Sequence, residues 1–328
     1  MNLDPKNPVR AVAARDYTLA NCAELVTVDE ARIKDLAMPA DLQSTGSVLQ
    51  DSVLKNSVRS YVPYFIAMNT MNYQFWDVDG QGRFTRYGHN GLVGALAMQK
   101  SFHDAWVAEG DFAQSKLSPS DNAMHAARGL LRKLQADGLH SVFGAIPDPS
   151  NEQIPSRLEI LSEVLDPDRL KMAASYLGDR VYVDQQLGWA DAQVLATLFP
   201  KAYADDYLKK AQLTLMFIAA EWNAGVRGTS GKAIELNVTA AADYQLPKVL
   251  RSLGILHYGA DLAQRVDSEV LIEEDSLEEV GIRAATIYAC DKLAEHFGCT
   301  IEEVDFWLWA NRNAARDAKF HLTKTTNY

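Results

Sequence analysis

The stretch "SLEEVGIRAATIYACDKLAEHFGCTIEEVDFWLW" constrains the fold of this chain more than any other. Ser276 with Glu279 has the spacing of a capping box, in which each side chain takes up a backbone N–H that the first helical turn leaves unpaired. Ile282, Ala285, Ala289, Leu293 and Phe297 recur at helical spacing, and Gly298 supplies a helix stop. A second capping box, Thr300 with Glu303, follows at once. The pattern predicts two consecutive helices joined by a very short turn. Asp166-Pro167 places a capping residue before a proline at the first helical position. "DYLKKAQLTLMFIAAEW" is apolar around most of a helical circumference, which predicts a buried helix.

Strand signals are fewer. In "NYQFWDVDGQGRFTRYG" two aromatic-rich runs flank Asp79–Gly82, as in a hairpin. "SYLGDRVYVDQQLG" fits helix and strand alike. No repeat, low-complexity tract or Gly/Ser linker divides the chain. Residues 1–328 therefore read as a single, mainly α domain with a small β-hairpin or sheet.

Composition narrows the function classes. Hydrophobic residues make up 48% of the 328, enough for a large core. The formal net charge of −11 argues against a nucleic-acid polymer as partner, because polymer binding draws on several Lys or Arg contacts to phosphates. No apolar run approaches the roughly 20 residues that span a bilayer, and no leader-like segment opens the chain. Cys22, Cys290 and Cys299 form neither a paired framework nor a metal-type spacing, which points to a reducing cytoplasm.

Two motif imitations fail on inspection. Asp77, Asp79, Gln81 and Gly82 occupy calcium-loop positions, but Gly88 stands where the bidentate Glu belongs. "GVRGTSGKA" resembles a phosphate loop, but Val226 replaces its first glycine and Ala233 follows Lys232, so a surface loop is expected. None of the seven histidines makes a metal-ligand pair. The ring-rich segments "NYQFW" and "DFWLW" fit core packing on composition alone, with a pocket for a flat heterocycle as the sharper alternative.

"TAAADYQLPKVLRSLGIL" resembles a segment of the queuosine salvage protein family (queuosine 5′-phosphate N-glycosylase/hydrolase) usually written FADYRxPQxLxxLGxL. Asp243, Tyr244, Pro247, Leu250, Leu253, Gly254 and Leu256 match it. Further segments are similar in the same order. "NTMNYQFW" looks like the family's DTxNFxFW, and "YLKKAQLTL" its YKRAQIL, with Lys209, Ala211 and Gln212 matching. "LEEVGIRAATIYACDKL" looks like EVEIRAxxxxAVExI, "VDFWLW" like DYYLW, and "FHLTKTTNY" like PFHxxxxxYY. The resemblance runs from about residue 45 to the C-terminus.

The resemblance implies a single helical domain shaped like the helix-hairpin-helix DNA glycosylases. It implies hydrolysis of the base–ribose bond of queuosine 5′-phosphate or a related 7-deazapurine nucleotide, with release of the base for salvage and no metal or organic cofactor. It places the catalytic aspartate at Asp243. The expected substrate-binding residues are Asn72, Phe75, Trp76, Lys209, Tyr244, Asp305 and Trp309. Each has an ordinary alternative: Asp243 as a cap for the helix near Pro247, Lys209 as a helix-end surface charge, Asp305 as an early-helix acid and the rings as packing. Ala241, where the family usually has Phe, is expected to widen the pocket. Asn69 and Ala310, each in place of Asp, are expected to remove two acidic ligand-reading groups, and Gln50 replaces a His. The departures leave open a catalytically altered relative that binds a deazapurine without cleaving its nucleotide.

Overall fold

The computed structural model describes residues 6–42, 47–49, 52–78, 84–110, 112, 116–144 and 154–328. Among these residues fifteen α-helices surround one large apolar core, and the strands pair only in twos, so the fold is mainly α as expected. No helix is long and apolar enough to cross a membrane.

The central helix is Leu277–Phe297. Ser276 caps it by accepting the Glu279 N–H, and Gly298 ends it in the left-handed conformation at φ 64°. The reciprocal half of the predicted capping box is not made there. The Glu279 carboxylate accepts instead from the Asp275 N–H at 3.3 Å and stands 3.7 Å from the Arg283 guanidinium. The second box, Thr300 with Glu303, is complete and opens the helix Ile301–Ala310. Gly281 lets the Pro8–Cys22 helix approach closely, since a Cβ at 281 would lie 2.5 Å from the Ala20 Cβ.

The predicted buried helix spans Lys209–Val226, and every residue from Lys209 to Glu221 is buried. It starts later than the apolar pattern suggests. Leu208 takes a left-handed φ of 51°, and the Asp205 carboxylate accepts the Lys209 N–H at 2.9 Å. Asp205 thus serves as the cap from four residues upstream. The Asp166-Pro167 start is realised at the Pro167–Asp179 helix. "SYLGDRVYVDQQLG" resolves into the end of that helix, a π turn over Arg180–Asp184, and a strand Gln186–Gly188 pairing parallel with Glu235–Asn237.

The hairpin pairs Trp76–Val78 with Phe84–Arg86 in antiparallel register, Trp76 opposite Arg86; the turn predicted at Asp79–Gly82 lies outside the described residues. Asp77 is 1% exposed within its strand, at odds with a calcium-loop role. Residues 227–233 form an exposed loop, as expected for the failed phosphate-loop motif.

Arg283 ties these helices together. Its guanidinium lies 2.8 Å from the Asp205 carboxylate, with both side chains 3% exposed, and packs over the rings of Tyr207 and Tyr328 at 4.5 and 4.7 Å. A buried pair of this kind is costly to break from one side, because the remaining charge has no water to turn to. Arg283→Met is therefore expected to destabilise the fold by about 3–5 kcal/mol, and adding Asp205→Asn should restore part of that loss. Urea denaturation of the single and double variants measures both. A loss under about 1 kcal/mol would mean that the pair behaves like an exposed one.

Candidate active site

A short irregular run, residues 238–242, threads through the interior. Four of its backbone groups bond to side chains from four helices. Arg10 donates to the Val238 carbonyl at 2.8 Å. Gln212 accepts the Thr239 N–H at 2.7 Å and donates to the Thr239 hydroxyl at 2.8 Å. Asp305 Oδ2 accepts the Ala241 N–H at 2.7 Å, and Arg283 donates to the Ala242 carbonyl at 3.4 Å. The three alanines are buried, so the helices close directly on the backbone.

This run delivers Asp243. Its Oδ1 accepts the N–H groups of Gln245 at 2.7 Å and Leu246 at 3.1 Å, at the start of the Gln245–Ser252 helix. The ordinary reading of Asp243 as a cap is thus realised through one oxygen. Oδ2 is left to a cavity that Asp243 lines.

Lys209 is 2% exposed, which overturns its reading as a helix-end surface charge. Its ammonium donates to the Asn72 carbonyl at 3.1 Å. Burial lowers its pKa, while the carboxylates of Asp243 and Asp305 oppose that shift. Asp305 is 3% exposed and not an ordinary early-helix acid. Burial, reinforced by the charge of Asp243, pushes its carboxyl up to about 7 against the opposing Ala241 N–H and Lys209.

Two adjoining chambers meet at these residues. One, of about 300 Å³, is mainly apolar: Val48, Leu213, Phe217, Ala241, Leu246 and Phe306 form its walls, with Ser47, Gln99 and Asp305 as polar groups. Phe217 and Phe306 stack with centroids 5.8 Å apart. The other is lined by Phe75, Trp76, Tyr244, Phe320 and Tyr328 and by the cations Arg86, Lys248 and Arg312. Asn72, Lys209, Asp243 and Trp309 line both.

All eight residues singled out in the sequence therefore line one chamber or both. Several also pack: Trp76 is 1% exposed and stacks on Phe84, and the Tyr244 ring lies 4.8 Å from that of Phe320. Sequence reasoning missed the three cations. They come from a strand, a helix and a 3-10 turn, and no local spacing links them. Lys248 donates to the Arg312 carbonyl at 2.8 Å, and the Arg312 guanidinium sits 3.4 Å from the Trp309 ring centroid.

The departures divide. Ala241 lines the apolar chamber. Asn69 is buried and accepts from the Asn72 side chain at 3.4 Å, but lines neither chamber. Ala310 is exposed at the end of its helix and lines neither, so it removes no ligand-reading acid from these walls. Gln50 lies outside the described residues. None of the seven histidines lines a chamber, and the described residues contain no group of three His, Cys, Asp or Glu side chains placed to hold a metal ion.

The chain is similar to known proteins over part of its length. Three curated proteins named queuosine 5′-phosphate N-glycosylase/hydrolase are similar to the chain. That of Sphaerobacter thermophilus is 34% identical over 129 residues, covering 37% of this chain and 39% of the relative. That of Dictyostelium discoideum is 29% identical over 130 residues, covering 37% and 40%. That of Schizosaccharomyces pombe is 28% identical over 106 residues, covering 31% and 30%. The matched stretch thus spans two fifths or less of each relative's length. The family model described as queuosine salvage protein matches residues 205–328, the part that carries Lys209, Gln212, Asp243, Tyr244, Asp305 and Trp309, and it bears out the resemblance over those residues; the motif at residues 69–76 lies outside the match.

Proposed function

We propose that this protein hydrolyses the N-glycosidic bond of queuosine 5′-phosphate or a related 7-deazapurine nucleotide and releases the free base. The observation that carries this reading is the position of Asp243, at the junction of an apolar chamber and a cationic one. A nucleotide has the same division: a flat base, a sugar at the junction and a phosphate. The base fits the chamber walled by Phe217, Phe306 and Trp309, and the phosphate the side of Arg86, Lys248 and Arg312. The partner is then a small-molecule nucleotide, not a polymer.

Cleavage sends the C1′–N electron pair to the base and leaves positive charge on the ribose. Asp243 Oδ2 stabilises that charge and takes a proton from the attacking water, whose oxygen bonds to C1′. The neutral form of Asp305 donates a proton toward the departing base. Lys209 supplies a donor beside both carboxyl groups. Base and ribose 5-phosphate are the products.

Asp243→Asn should keep the fold, because Asn caps a helix about as well as Asp, yet lower the rate of base release by roughly 10²–10³. Chromatography of the free base after incubation with 7-deazaguanine nucleotides reads this out. Base release by the variant at near wild-type rate would reduce Asp243 to a cap and sink the mechanism. Binding without release in the wild type would instead favour a deazapurine-binding relative.

The raised pKa of Asp305 gives a pH signature. Its proton is present below about 7 and lost above it. The wild-type kcat/KM should therefore fall as pH rises beyond about 7, by up to about tenfold per unit. In Asp305→Asn, whose amide cannot titrate, that alkaline limb should disappear. A limb unchanged in the variant would assign it to another group.

A further inference from the structure

The Lys209–Val226 helix presents Lys209, Leu213 and Phe217 to the apolar chamber at four-residue intervals. The next residue in this row is Glu221, which lines no wall and is 5% exposed. The Ser47 hydroxyl lies 2.9 Å from both of its carboxylate oxygens, and the Leu49 N–H donates to Oε2 at 3.1 Å. No cation pairs with Glu221 among the described residues. A buried carboxylate held only by a hydroxyl and an amide stabilises a core less than an apolar side chain of similar size would. What it does achieve is to hold one segment in one place. Ser47, one of its two contacts, and Val48, between them, line the chamber together with Leu213 and Phe217. Leu49, the second anchor, is buried in the core.

We propose that Glu221 is a positioning residue: it fixes Ser47 to Leu49 so that Val48 completes the chamber wall and sets the size of base the chamber accepts. The inference rests on the reading of the apolar chamber as the base site. Glu221 touches neither Asp243, Asp305 nor Lys209, so its loss should act on binding and selectivity and leave the chemical step alone. A shape change of about one methylene in an apolar pocket shifts selection by roughly 10- to 200-fold.

The test compares wild type, Glu221→Gln, Glu221→Ala and Val48→Ala. Turnover of queuosine 5′-phosphate gives kcat and KM, and calorimetry gives the affinity for free queuine and for 7-deazaguanine. In Glu221→Ala we expect KM to rise about tenfold or more, kcat to stay within about threefold, and discrimination between the two bases to shrink. Glu221→Gln, which keeps an acceptor, should fall between. Val48→Ala should reproduce the loss of discrimination with a melting temperature within about 2 °C of wild type, which separates a wall effect from unfolding. An active, base-binding wild type whose Glu221 and Val48 variants keep its KM and discrimination would overturn the inference alone. A wild type that neither binds base nor releases it would overturn the base-site reading and this inference with it.

Discussion

The structure turns on an irregular backbone run inside a helical protein. A segment such as Val238–Ala242 has no ladder to satisfy its N–H and C=O groups, and leaving them unpaired in the core would cost several kcal/mol. Arg10, Gln212, Asp305 and Arg283 supply the missing partners from four different helices. The bonds that satisfy the run therefore also fix the helices relative to one another and set the point at which Asp243 emerges.

Buried cations do similar work on the facing side. Lys210 and Lys209 donate to the carbonyls of Thr70 and Asn72, just past the end of the Val58–Asn69 helix, where a positive group is favoured by the helix dipole. Arg157 donates to the Gln74 carbonyl and lies 4.2 Å from the centroid of the Tyr73 ring. These contacts hold the turn from which Phe75 and Trp76 reach the cationic chamber. They also place two lysines where burial lowers both pKa values, while the carboxylates of Asp243 and Asp305 oppose the shift at Lys209.

How much of this was legible in the sequence differs by residue. The caps Ser276, Thr300 and Asp166 and the buried helix at Lys209–Val226 follow from local chemistry, because caps and apolar periodicity act within one or two turns. Lys209 was ambiguous because its burial depends on Asp205 starting the helix there, a contact that apolar spacing does not reveal. Arg86, Lys248 and Arg312 were invisible because only the tertiary fold brings a strand, a helix and a 3-10 turn to one rim. Ala310 misled for a related reason. A motif position names a residue type, and only the fold shows that this one faces solvent.

Asp243 shows why the cap and the catalytic reading do not compete. Binding Oδ1 to two backbone N–H groups fixes the side-chain torsions, so Oδ2 is aimed before a ligand arrives and no reorganisation is needed when charge develops. The apolar surroundings strengthen its pull on a developing cation. Ala241 belongs to the same site. Its N–H is held by Asp305 while its small side chain leaves room in the apolar chamber. The stacked Phe217–Phe306 pair and Trp309 already present rings to that space. Position 241 thus contributes no ring to a chamber that still has aromatic walls.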